Sequence, residues 1–96
     1  MILSFADRDT ERFAAVERIA AFHAVRAAAV RKLALLNSAE PLGDLTQPPG
    51  NRLEALRGDR AGQHSIRINR QYRLCFVWDE AQGGAREVEI VDDHRG

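Results

Sequence analysis

Two periodicities divide the chain. From Ala21 to Asn37 the apolar positions Phe22, Val25, Ala29, Leu33 and Leu36 advance by three or four residues, which leaves Arg26, Arg31 and Lys32 on another face. That spacing predicts a helix over 21–37. A first helix is expected near 8–18, capped by Asp7 or Asp9, with Phe13, Val16 and Ala20 at helical spacing. Met1 to Phe5 is a short apolar stretch that reads as a strand. After Pro41, Gly43 and the run Gln47-Pro48-Pro49-Gly50-Asn51 the period becomes two. Arg52 to Leu56 and His64 to Ile68 form an expected hairpin around the turn Arg57 to Gly62, and Asn69-Arg70 makes the next tight connection. In Tyr72 to Trp78, Leu74, Phe76 and Trp78 share one face, and Arg73, Cys75 and Val77 the other. Gly83-Gly84 turns the chain into Arg86 to Val91, where Val88 and Ile90 share a face. The expected architecture is one α+β domain over residues 1–96. Its order is β-α-α-β-β-β, with two N-terminal helices packed on one face of a mostly antiparallel sheet.

Composition narrows the function classes. Ninety-six residues leave room for a single small core. Lys+Arg and Asp+Glu both total 14, so any electrostatic partner must be recognised by a local patch. One cysteine, Cys75, excludes an internal disulfide framework and a cysteine-rich metal centre. The histidines, Cys75 and the acids lack a short ligand spacing, so no metal site is expected. The charged N-terminus and the lack of a bilayer-length apolar run point to the cytoplasm and away from membranes.

Charge is nonetheless segregated. Six arginines lie between Arg52 and Arg73 against Glu54 and Asp59, whereas Asp79, Glu80, Glu87, Glu89, Asp92 and Asp93 load the end. Strand alternation presents Arg57, Arg67 and Arg73 to solvent, where several guanidinium groups can hold a phosphodiester backbone. The alternative is a set of unrelated surface arginines paired with nearby acids. Tyr72 and Trp78 are the only amphipathic rings, which argues for backbone contact over base stacking. Glu54, near a strand end, is a candidate general base or a salt-bridged surface acid. His94, beside Asp92 and Asp93, is a candidate acid or part of a frayed tail. His64 sits in a strand pattern where it either contacts RNA or packs, and His23 reads as structural.

The string Pro48 to Ile68 (PPGNRLEALRGDRAGQHSIRI), continued by Tyr72-Arg73-Leu74-Cys75-Phe76 and by Val88 to His94 (VEIVDDH), resembles the HigB-like toxins. These form the plasmid maintenance system killer branch of the RelE/ParE superfamily. The resemblance covers essentially the whole chain and implies a RelE-like fold. It also implies a toxin that cleaves mRNA held in the ribosomal decoding site of the small subunit, without a cofactor. Such a toxin is silenced by a HigA-like helix-turn-helix antitoxin, and reaches operator DNA only through that complex. The implied chemistry is attack of an RNA 2′-hydroxyl on its adjacent phosphate. By resemblance, Arg73 steadies the scissile phosphate, Glu54 is the base, His94 the acid and Asp92 the acidic residue beside it. Arg57 adds phosphate charge, and Arg60, His64 and Arg67 join it as RNA-binding candidates. The departure is Asp93, where the family usually has tyrosine. Two other readings stand beside this one: a ParE-like toxin that targets gyrase without nuclease chemistry, and a degenerate toxin that serves as an antitoxin-binding co-repressor.

Overall fold

The computed structural model describes residues 1–93. Its elements are α1 (Arg8–Ala14), a 3₁₀ segment (Ala20–Val25), α2 (Arg26–Ser38), then β1 (Glu54–Ala55), β2 (His64–Arg67), β3 (Tyr72–Asp79) and β4 (Gly84–Asp92), with short 3₁₀ turns at Leu42–Thr46, Pro49–Asn51 and Gly58–Arg60. The class is α+β, and the four strands form one antiparallel sheet in the order β1-β2-β3-β4.

The apolar stretch at the start is not a full strand. It lies parallel along the outer side of β4 through two isolated bridges, Ile2 to Ala85 and Phe5 to Val88. The Leu3 N–H donates to the Ala85 carbonyl at 2.7 Å, and the Ala85 N–H returns to the Met1 carbonyl at 2.8 Å. Close approach there requires Gly84, because a Cβ at that position would stand 2.6 Å from the Met1 carbonyl oxygen.

The helices also depart from the expected limits. Asp7 caps α1 by accepting from the Thr10 N–H, and the helix stops at Ala14 instead of near 18. It ends in a Schellman arrangement: Val16 N–H donates to the Phe13 carbonyl and Glu17 N–H to the Arg12 carbonyl. The residue at the left-handed position, usually Gly, is Val16 at φ 71. A β-branched side chain there costs about 1–3 kcal/mol, and Val16 is 78% exposed, so packing offsets little of it. Val16→Gly is therefore expected to stabilise the fold by about 1 kcal/mol after the entropy cost of glycine. The urea midpoint would rise; a fall would show that the Val16 side chain contributes packing that outweighs its strain. The stretch expected as one second helix divides at Val25, with 3₁₀ geometry before and α-helix after. His23 accordingly sits in the 3₁₀ segment. The spacing still delivers Phe22, Val25, Ala29, Leu33 and Leu36 to the core.

The core lies between α2 and the inner face of the sheet, where Ile66, Leu74, Phe76, Val88 and Ile90 point. α1 is tied to the sheet by a buried side chain, since the Ile90 N–H donates to Thr10 Oγ1 at 3.0 Å. The pairing of β3 with β4 shifts by one between Cys75 and Val77, as Cys75 faces Glu89 and Val77 faces Arg86. The extra residue on β4 falls at Glu87, whose φ is 52.

Candidate active site

The outer face of the sheet, away from the helices, carries the candidate site. A cleft of about 700 Å³ is lined by Glu54, Arg57, Arg60, Arg73, Cys75, Val91 and Asp93, with Ala55 and Leu56. β3 brings Arg73 to its centre because residues 73 and 75 alternate with the core residues 74 and 76.

Arg73 is held on four sides. Its Nε donates to Ser65 Oγ at 2.9 Å, and its Nη2 donates to Glu54 Oε1 at 2.9 Å and to the Arg52 carbonyl at 3.4 Å. Its Nη1 lies 3.6 Å from Asp93 Oδ2. Only 16% of the side chain is exposed, against 50% for Glu54. The guanidinium is thus pre-oriented in the lining of the cleft, which lowers the reorganisation needed to meet an anion. β2 supplies Ser65, which is fully buried.

Glu54 owes its place to the loop before β1. Asn51 is fully buried there: its Nδ2 donates to the Leu45 carbonyl at 3.2 Å and the Gln47 carbonyl at 3.0 Å, and its Oδ1 accepts from Lys32 Nζ. That lock fixes the turn in which Arg52 adopts the left-handed region at φ 47. The chain then enters β1, with Glu54 paired opposite Ser65. Asn51 and Ser65 were not singled out from sequence. Ser65 does stand at the alternation position that shares a face with Arg67, and Asn51 follows a glycine in the turn run.

The remaining candidates separate. Arg57 and Arg60 line the cleft, the latter bound to Glu89 at 3.2 Å and to Gln63 Oε1 at 3.0 Å. Arg67 lies in an adjoining depression, its Nε donating to the Asn69 carbonyl at 3.1 Å. His64 is not brought to the cleft. Alternation turns it to the inner face, where its ring stacks on Phe76 with centroids 6.3 Å apart. Asp92 is also on the opposite side from Arg73, in phase with the core residues Val88 and Ile90, and its Oδ2 accepts from Gln71 Nε2 at 3.1 Å. Asp93, the departure from the family pattern, is the acid that reaches Arg73. His94 lies outside the described residues. Among the described residues no group of three or more His, Cys, Asp or Glu could hold a metal ion.

Cys75 forms part of the cleft floor and is buried. Burial pushes its thiol above the ordinary value, against the pull of Arg60. It is consequently a neutral floor residue and a poor nucleophile at neutral pH. The arrangement offers a carboxylate in contact with a fixed guanidinium, and two further arginines within one concave surface. That is the equipment of acid–base chemistry on a phosphodiester.

Comparison with known proteins identifies the family. A family model described as the RelE-like toxin of type II toxin-antitoxin system HigB matches residues 3–94. Toxin HigB-1 of Vibrio cholerae serotype O1 is 41% identical over 97 residues, covering 99% of each chain. An uncharacterized protein of Haemophilus influenzae is 41% identical over 49 residues, which span 51% of this chain and 48% of that one. With the match running from the first residues to the end of the sheet, the chain belongs to the HigB-like family of RelE-like type II toxins.

Proposed function

We propose that the protein is a metal-independent endoribonuclease that cuts mRNA held in the ribosomal decoding site and so arrests translation in the cytoplasm. The observation that carries this reading is the 2.9 Å contact of Glu54 Oε1 with Arg73 Nη2 inside a cleft that also holds Arg57 and Arg60. In the proposed reaction Glu54 takes the proton of a 2′-hydroxyl, whose oxygen attacks the adjacent phosphorus. Arg73 stabilises the charge that grows on the phosphorane oxygens. The 5′-oxygen leaves with a proton from His94, giving a 2′,3′-cyclic phosphate and a 5′-hydroxyl end. A positioned acid or base contributes roughly 10² to 10⁴ in rate. Arg57 and Arg60 draw the RNA backbone into place. A type II toxin implies an antitoxin partner; we take it to be a HigA-like helix-turn-helix protein, through which the complex reaches operator DNA.

Asp93 favours one second reading. Its carboxylate already occupies part of the Arg73 guanidinium, 3.6 Å from Nη1, as it would in a toxin of weak nuclease activity that acts mainly as a co-repressor. Induced expression of wild type, Glu54→Ala, Arg73→Ala and His94→Ala separates the two. Growth arrest with new mRNA 5′ ends, relieved by each substitution, supports the nuclease. Arrest without cuts points to a gyrase-type target, and no arrest from folded protein points to the co-repressor.

A further inference from the structure

Arg73 and Asp93 line a second depression as well as the cleft. It holds about 240 Å³, lies beside the β2–β3 turn, and is otherwise lined by Arg52, Arg67, Asn69 and Arg70. Four arginines and one acidic residue therefore border it among the described residues. Among the described residues Arg52, Arg67 and Arg70 make no ion pair. Arg67 is nevertheless fixed, by its bond to the Asn69 carbonyl. Asn69 in turn is fixed by accepting at Oδ1 from the Gln71 N–H at 2.9 Å and the Tyr72 N–H at 2.7 Å. Holding like charges together in a concave surface costs free energy that a bound anion offsets, and guanidinium forks match phosphate oxygens.

We propose that this depression is a second phosphate site, which takes the phosphodiester next to the scissile one on the same RNA strand. The proposal rests on the nuclease reading for the identity of the strand. The two depressions meet at Arg73 and Asp93, so a backbone seated on Arg73 passes directly from the one to the other. Arg52 and Arg70 are exposed, and neither was among the candidates read from the sequence. The site makes RNA recognition depend on two successive phosphates, with Arg73 at the junction.

The test uses a labelled five-nucleotide 2′-O-methyl RNA, which cannot be cleaved, with affinity followed by anisotropy across salt concentrations. Arg52→Gln/Arg70→Gln is expected to weaken binding at least fivefold at low salt and to reduce the salt slope by about 0.7, the contribution of one phosphate on a single strand. A probe whose linkages are neutral methylphosphonates except one is expected to bind wild type and variant alike. The proposal is overturned if the variant keeps the wild-type slope, or loses as much on the single-phosphate probe. It is also overturned if the variant loses affinity only for empty ribosomes, because the phosphate then comes from ribosomal RNA. Cleavage of an unmodified message on programmed ribosomes is scored separately. Cleavage without the phosphate increment sinks this site and leaves the nuclease standing, whereas the increment without cleavage does the reverse. A wild type that binds no probe overturns this site, and the nuclease reading is then decided on ribosomes alone.

Discussion

Arg73→Ala is expected to lower single-turnover RNA cleavage by roughly 10² to 10³, the usual loss when one preorganised charge-stabilising donor is removed. Binding should weaken as well, because the substitution leaves the Glu54 and Asp93 carboxylates on either side of a vacated position. Both would then repel an incoming phosphate. Arg73→Lys should recover little of the loss. A single ammonium cannot bond Ser65 Oγ, the Arg52 carbonyl and Glu54 together while presenting an edge to the substrate. The measurement is a rate with purified protein and mRNA bound to programmed ribosomes, beside a thermal melt showing that the variant is folded. Cleavage at the wild-type rate by folded Arg73→Ala would remove this arginine from the chemistry.

The largest expected effect on stability belongs to Phe76→Ala. Phe76 is fully buried, stacked against His64 and in edge contact with Trp78 at a centroid distance of 6.5 Å. Truncating such a ring costs about 3–5 kcal/mol. A native domain commonly has a margin of about 5–15 kcal/mol, so a large share of the total would be lost. Urea unfolding should show a midpoint lower by about 2 M, given a typical slope of roughly 1–3 kcal/mol per molar. A midpoint within error of wild type would mean that the ring is not packed between the sheet and the helices as described.

Much of the fold was legible in the sequence, for identifiable reasons. The three- and four-residue spacing from Phe22 to Leu36 needs no knowledge of neighbours, and it delivered the correct buried face even though the helix is divided at Val25. Alternation likewise placed Arg73 and Cys75 opposite Leu74 and Phe76. What escaped was decided by backbone geometry that side-chain type does not announce. α1 stops at Ala14 because Val16 enters the left-handed region, where a reader looks for glycine or asparagine. His64 was open from sequence to either RNA contact or packing, and the phase set by Ser65 beneath Arg73 turns it inward. Asn51, which holds the turn leading to Glu54, shows its role only through carbonyls of a loop whose path the sequence does not reveal.

The displaced register at Glu87 reaches further than its own strand. Ala85 and Val88 are both fully buried, although they stand three positions apart and regular alternation would put them on opposite faces. The extra residue inverts the parity of everything after it. An unbulged β4 in phase with Ala85 would send residue 92 toward Arg73 and residue 93 toward the helices. The inserted position reverses that assignment, so Asp93 meets the guanidinium and Asp92 meets Gln71. Between two adjacent, chemically identical acids, the choice of which one reaches Arg73 is made six residues upstream, by a count. Changes of length in the Gly83-Gly84 turn leave that choice intact, and so does loss of the single residue at 87, because Arg86 and Val88 would then alternate regularly; only a bulge straightened with Glu87 in place would exchange the two aspartates.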